Sequence, residues 1–329
     1  MANFWQKLNR PFYCLAPMSD VTDVAFRYII AKYSKNRENK DRVVFWTEFV
    51  AADGLCNKLA KKKLSHMLEY SESERPIVAQ VFGANEDNME QACRYVASLG
   101  FDGIDINMGC PDKSVIAQGA GAGLIKTPQL ARKIIQAALR GIKSAGSDIP
   151  LSVKTRIGFN KEEIDTWIPE LLKEDISALT IHLRTMKEMS LVPAHWEHIK
   201  KIKELIKKSG KDIPLIGNGD IVDIKDAENK MSEYGCEGAM IGRGIFGNPW
   251  VFLLEKPEIT MEEKLKVLIE HTQIFDKELS GPRHKSFAVM KKHFKAYVNS
   301  FEGAQELRAK LMETNNSKEV EKIINDFLK

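Results

Sequence analysis

Eight short runs of near-continuously apolar residues recur along the first three-quarters of the chain, at 12–18, 43–50, 76–83, 103–109, 151–158, 178–184, 214–221 and 238–244, and each is followed by a stretch of helical character. Runs of this length that do not alternate polar and apolar residues are the pattern of parallel strands covered by helices. The intervening stretches carry a 3.6-residue apolar period, as in LARKIIQAALRGI at 130–142 and WEHIKKIKELI at 196–206. Eight such βα units within about 250 residues is the size of a (β/α)8 barrel, whereas a doubly wound sheet uses about five or six strands. After Trp250 the strand pattern stops. From Pro257 the sequence reads as helices only, at 261–277, 283–300 and 304–329, punctuated by Gly281-Pro282 and Glu302-Gly303. The expected fold is α/β, a (β/α)8 TIM barrel over residues 1–254 followed by a small all-α domain over residues 255–329.

Composition closes off other classes. With 43% hydrophobic and 29% charged residues, the chain is neither disordered nor fibrous. Its apolar runs, such as 43–46, fall far short of the ~20 residues that span a bilayer, and the first residues lack the apolar core of a signal peptide. No membrane association is expected. Five cysteines (Cys14, Cys56, Cys93, Cys110, Cys236), an odd number without a CxxC, argue against a disulfide framework or structural zinc and for a reducing cytoplasmic compartment. The chain has no HExxH and no carboxylate cluster of metal-ligand spacing, so no metal is expected. Nothing points to an obligate protein partner, and a monomer is expected.

In a barrel of this kind the active site lies at the C-terminal ends of the strands. Polar residues gather at those ends here. They read Pro17-Met18-Ser19 after the first run, Gln80 in the third, Asn107-Met108-Gly109-Cys110-Pro111 after the fourth and Lys154-Thr155-Arg156 in the fifth. The last three give His182-Leu183-Arg184, Asn218-Gly219-Asp220 and Gly242-Arg243-Gly244. Polar side chains inside apolar runs are costly unless paired or used, so their recurrence at one end points to a convergent site. The GNGD and GRG sequences let backbone N–H groups approach an anion, and Arg243 adds a fixed positive fork. The loops after strands seven and eight are the habitual phosphate site of the fold. Lys154 reads either as a lysine satisfied by a neighbouring carboxylate or as a cation that holds negative charge on a reduced ring system. His182 reads as a core histidine or a site residue, and its alignment with the other strand ends favours the site.

Cys110 stands beyond its strand at the start of a loop. There it is either a small core residue or a thiol able to act as nucleophile or proton donor. No histidine is close in sequence to pair with it. The other four cysteines read as core or surface residues, and His195 and His198, flanking Trp196, as structural or solvated. Two stretches lack any acidic residue: 113–147 with six Lys/Arg, and 283–297 with five Lys/Arg, two His and three aromatics. Each reads as a solvated helix face or, taken together, as a dock for a polyanion.

The quoted motifs resemble those of the tRNA-dihydrouridine synthases, and the resemblance covers nearly the whole chain. LAPMSDVTDVAFR, VAQVFG, DINMGCPDKSVIAQGAGAGLIKTP, SVKTRIG, IHLRT, IGNGDI and MIGRGIFGNPW carry it through the barrel, and MKKHFKAYVNSFEGAQELR fits a helical tRNA-binding domain. The resemblance implies reduction of the C5–C6 double bond of particular uridines in tRNA. NADPH would be the reductant, FMN the carrier of hydride to C6, and Cys110 the acid that protonates C5. It further implies that Pro17, Met18 and Ser19 line the flavin, that Gln80 bonds its ring edge, that Lys154 neutralises the reduced ring and that His182 packs against it. Asn218, Gly219, Asp220, Gly242 and Arg243 would hold ribityl and phosphate. Asn107 and Arg156 would contact the flipped uracil, while Lys291, Lys292 and Lys295 would hold tRNA. The chain departs from the family at Leu183, where glycine is common, and in the loop 186–193, which lacks a second arginine. The charged segment 34–42 has no assigned role. An FMN barrel acting on a small pyrimidine and a tRNA-binding chaperone without redox work are the competing readings.

Overall fold

The structure is a computed structural model that describes residues 3–36, 38–280 and 285–329. The eight apolar runs form strands β1 (Phe12–Leu15), β2 (Val43–Ala51), β3 (Ile77–Phe82), β4 (Gly103–Met108), β5 (Leu151–Arg156), β6 (Ala178–His182), β7 (Leu215–Asn218) and β8 (Gly238–Ile241). They close into a parallel barrel in sequence order, with β8 returning to β1 through the register Phe12↔Gly238 to Leu15↔Ile241. Most of the strands end earlier than the apolar runs suggest: Gln80, Asn107, Lys154, Arg156, His182 and Asn218 stay in the ladder, while the Gly219-Asp220 and Gly242-Arg243 turns lie beyond it. In β2 the register shifts between Trp46 and Phe49, a bulge of the kind that re-aims side chains beside active sites.

Strand side chains alternate between the barrel interior and the helix layer. Phe12, Cys14, Val44, Trp46, Val78, Ile216 and Met240 fill the lower interior, and Trp5 of the N-terminal helix Phe4–Lys7 stoppers it, 5.7 Å from the Trp46 ring. Above this apolar plug the inward positions turn polar. The outward positions merge with the surrounding helices in the main core.

The C-terminal segment forms the helix Met261–Phe275, a π-helical extension Asp276–Ser280, the turn-and-helix pair Phe287–Met290 and Lys291–Tyr297, and the helices Ala304–Met312 and Ser317–Phe327. Two expectations need correction. The helix expected over 304–329 is two helices, because Asn316 accepts from Glu319 N at 3.0 Å and starts a new N-terminus. In the expected helix 283–300, regular α-helix begins only at Lys291; Gly281, Pro282, Arg283 and His284 lie outside the described residues. The segment has its own apolar core, with Leu268, Phe275, Phe294 and Leu311 among its members. That core also takes in Ala25 and Ile29 from the barrel helix Val24–Ser34, and Trp250. The charged segment 34–42, of which Arg37 lies outside the described residues, gains a role: buried Asn39 donates to the carbonyls of Ser34 and Phe252, 2.7 Å each, and so ties that helix to the chain leaving the barrel.

The same helix is anchored by a fully buried ion pair. Arg27 Nε lies 2.6 Å from Glu74 Oε2, and the guanidinium also donates to the carbonyls of Thr22 and Glu69. Removing one partner strands the other charge in the interior. Glu74→Ala is expected to cost about 3–5 kcal/mol of stability, read from urea unfolding, and a loss within experimental error would show that Arg27 finds other partners.

Candidate active site

The strand ends surround a cleft of about 320 Å³. Pro17 and Met18 beyond β1, Asn107 and Cys110 from the end of β4, and Lys154 and Arg156 of β5 line one side. His182 of β6, the Asn218-Gly219-Asp220 turn and the Gly242-Arg243 turn line the other. Two expected ring-binding residues do not reach it. Ser19 lines a neighbouring pocket. Gln80 is fully buried beneath the cleft, where its Nε2 donates to Asp105 Oδ2 (2.7 Å) and its Oε1 accepts from Asn107 Nδ2 (2.9 Å). Gln80 therefore acts on the cleft only through Asn107.

Asp105 is the residue that sequence reasoning missed. It sits on the inward face of β4 and accepts from Ser152 Oγ at 2.6 Å as well as from Gln80. Burial pushes its pKa from 3.8 up to about 6, against the pull of those hydrogen bonds and of Lys154. The chain of contacts continues upward: Asn107 Oδ1 accepts from the backbone N–H groups of Gly109 (3.1 Å) and Cys110 (2.8 Å). A buried carboxylate thus fixes, through two amide side chains, the first residue of the cysteine loop. The signal was present in the sequence as a charged residue at an inward strand position.

The electrostatics of the cleft are strongly positive. Burial, and next the neighbouring Arg156, push the Lys154 pKa down to about 8. Lys154 makes no hydrogen bond or ion pair with any of the described residues. Burial likewise brings Arg156 down to about 10. Its guanidinium donates to the carbonyls of Gly109 (2.8 Å), Thr185 (3.0 Å) and Met189 (3.2 Å), so it clamps the cysteine loop to the loop 186–193. Burial and the surrounding cations hold His182 well below its usual range. Because Arg184 Nη1 lies 3.1 Å from His182 Nε2 and can only donate, the neutral ring carries its proton on Nδ1. Burial also pushes the Cys110 thiol up, so it stays protonated at neutral pH.

The phosphate-type turn is held from outside the cleft. Gly219 adopts a φ of +132°, and a Cβ there would come within 2.7 Å of Ala194 Cβ, so only glycine fits. The Trp196 indole donates to the Gly219 carbonyl at 2.9 Å and packs on Gly217. Asp220 is bridged by Arg184 and by Arg243, the latter at 2.9 Å, and accepts from Ala194 N, also at 2.9 Å. Burial opposes ionisation of Asp220, but the Arg184 hydrogen bond and the remaining partners keep its pKa low. Arg184, which the sequence placed among the polar strand ends without a role, thus holds this turn. Leu183 points away from the cleft into the main core, so the departure there leaves the site intact.

The basic stretches need correction. In 113–147, Arg132 pairs with Glu174 (2.7 Å), Arg140 with Glu90 (2.7 Å) and Lys133 with Glu86 (3.4 Å), so half of the charge is spent between helices of the barrel wall. In 283–297 the aromatics Phe287, Phe294 and Tyr297 and also His293 are core residues. Lys285 Nζ is buried among Asp20 Oδ1 (3.3 Å), Asp23 Oδ2 (3.6 Å) and Glu48 Oε2 (3.6 Å), and Lys292 donates to the Asp20 carbonyl at 2.8 Å. Lys291 and Lys295 make no such contact among the described residues. No helix among the described residues is long and apolar enough to cross a membrane.

A family model described as dihydrouridine synthase (Dus) matches residues 14–329. A probable tRNA-dihydrouridine synthase 2 of Bacillus subtilis (strain 168) is 41% identical over 326 residues, covering 99% of this chain and 96% of the relative. A probable tRNA-dihydrouridine synthase of Staphylococcus aureus (strain COL) is 40% identical, covering 99% and 95%. Among solved structures, a 2-naphthoyl-CoA reductase complex aligns with a TM-score of 0.53 at 12% identity, over 76% of this chain and 51% of its own. The histamine dehydrogenase of Rhizobium sp. 4-9 aligns with a TM-score of 0.52 at 14% identity, over 80% and 49%. Those structures share the barrel fold. The match of the family model over residues 14–329, with relatives at about two-fifths identity along the whole chain, establishes that this chain belongs to the dihydrouridine synthase family.

Proposed function

We propose that the chain is a flavin-dependent oxidoreductase that reduces the C5–C6 double bond of specific uridines in tRNA, with FMN as its flavin and NADPH as the reductant. One observation carries this reading. A protonated thiol, Cys110, and a partly buried ammonium without a hydrogen-bond partner among the described residues, Lys154, line the same cleft, above a buried network that holds the cysteine loop in place. The donor set fits a phosphorylated flavin. Lys154 suits the electron-rich end of a reduced ring, and neutral His182, Pro17 and Met18 offer packing surface. The Gly219 and Gly242 turns, with Asn218, Asp220 and Arg243, suit ribityl and phosphate.

A bound reduced flavin would supply a hydride, two electrons with one hydrogen, to C6. The chain's own residues do the rest. Cys110 Sγ–H delivers the proton to C5, and Asn107 and Arg156 hold the cysteine loop while presenting their remaining donors to the uracil edge. Extruding that base from the tRNA costs a few kcal/mol, which backbone contacts must offset. Residues 255–329 are proposed as the tRNA-binding domain on a catalytic barrel of residues 1–254, with Lys291 and Lys295 facing phosphate. The enzyme works as a monomer in the cytoplasm, where its five free thiols remain reduced. The family and the names of the relatives favour this reading over a small-pyrimidine reductase.

Cys110→Ala is expected to retain flavin and lose about 10²–10⁴-fold in dihydrouridine formation, measured by mass spectrometry of tRNA; unchanged turnover would remove Cys110 as the acid. Lys154 gives a pH test. It is charged below pH 8 and neutral above, so flavin affinity should fall by about tenfold per unit above pH 8 as the proton taken up with the anion becomes harder to supply. Lys154→Met should be weaker and flat over that window in fluorescence titration, and a parallel profile would exclude the role. The double variant Lys291→Ala/Lys295→Ala should weaken tRNA binding and lower its salt slope by about 0.7 per lost contact; an unaltered slope would place the tRNA elsewhere.

A further inference from the structure

A second pocket, about 630 Å³, adjoins the cleft and shares Phe49, Cys110, Pro111 and Met189 with it. Its remaining wall is largely apolar, contributed by Leu64, Met67, Phe82 and Val115. Phe82 meets Phe49 edge to face, with ring centroids 5.5 Å apart and planes at 79°. The proposed roles of the cleft use none of these side chains apart from Cys110.

A basic helix ends at the wall of this pocket. The helix Lys58–Leu64, whose last residue lines the pocket, reads KLAKKKL and contains four lysines and no acid. Lys58, Lys62 and Lys63 are exposed and make no ion pair among the described residues, while Lys61 lies over the Tyr95 ring at 3.2 Å. The nearest carboxylate on the pocket wall, Asp112, is turned to its own helix, accepting from Ser114 N at 2.8 Å. An aromatic-walled pocket with unpaired lysines beside it is the pattern of single-stranded nucleic-acid sites, where bases stack and cations track phosphates.

Resting on the tRNA-reducing reading above, we infer that this pocket receives the base of the nucleotide next to the target uridine, with the adjoining phosphates on Lys58, Lys62 and Lys63. Extrusion of the uridine robs its neighbour of a stacking partner. Phe82 and the apolar wall replace that partner. The two pockets meet at Cys110 and Phe49, so consecutive nucleotides occupy them on either side of one layer of side chains. The reacting uracil and its neighbour are thereby bound as a pair, and the pocket makes uridine choice depend on the flanking base.

The experiment uses the flavin-loaded full chain. Phe82→Ala should raise KM for tRNA, and Kd in direct binding, by about 5- to 100-fold, with kcat and tRNA-independent NADPH oxidation unchanged. Phe82→Tyr should restore the wild-type value, and Met67→Ala should act in the same direction should Phe82→Ala fold poorly. A tRNA made abasic on one side of the target uridine should cost the wild type a similar factor, and Phe82→Ala should lose nothing further on it. The inference is overturned if neither abasic tRNA is impaired, if the two losses add, or if Phe82→Ala raises KM for NADPH instead. A wild type that forms no dihydrouridine would instead defeat the reading on which the inference rests.

Discussion

The polar upper half of the site depends on Asp105, a carboxylate with no exposure to water. Buried at the centre of a closed ring of strands, it must be satisfied by its neighbours, and it draws in Ser152 from β5 and Gln80 from β3. Gln80 then turns its oxygen to Asn107, and Asn107 turns its own oxygen to the N–H groups of Gly109 and Cys110, which leaves the second amide hydrogen of Asn107 unspent. Each side chain spends one end downward and one upward, so the cysteine loop inherits its position from the barrel floor. Such a network specifies geometry because every member is needed by the next.

Charge in the cleft follows a different logic. Lys154 and Arg156 are desolvated side by side, and His182 is kept neutral by its burial and then by the company of cations. Arg156 recovers its cost through three carbonyls, and Arg184 through Asp220 and the Val192 carbonyl. Lys154 makes no hydrogen bond through its ammonium among the described residues and draws only on the nearby charge of Asp105. A cation left in that condition is stabilised by an anionic ligand more than any of its neighbours would be, and this distinguishes it from a lysine that merely ends a strand.

The barrel was legible because its strands are buried on both faces and therefore apolar without interruption. The strand ends were harder to place, since some polar residues there, such as Asn107 and His182, stay in the ladder while others, such as Asp220 and Arg243, lie in the turn that follows. Gln80 and Ser19 show the limit of position alone. Both occupy the expected strand ends, but whether an amide faces the cleft or the interior is decided by Asp105 and Asn107, on another strand. The stretch 113–147 looked free because its acidic partners are distant in sequence: Glu86 and Glu90 lie on another helix and Glu174 in a turn beyond a third. Conversely the lysines at 58–63, whose helix ends at Leu64 on a pocket wall shared with Cys110, had no signal tying them to a site some fifty residues further along the chain.

Lys285 carries a consequence for how far the enzyme can reach. Its ammonium sits among Asp20 and Asp23, just beyond Pro17 and Met18, and Glu48, just before Phe49. The helical segment is thereby gripped by the same loops that form the wall of the cleft. Displacing the helices would require separating one ammonium from three carboxylates before the cleft itself could shift. On the proposed reading, in which Lys291 and Lys295 face tRNA phosphates, the span from them to Cys110 would be held like the jaws of a gauge, and a tRNA gripped at one jaw would present to the other whichever uridine lies at that fixed measure.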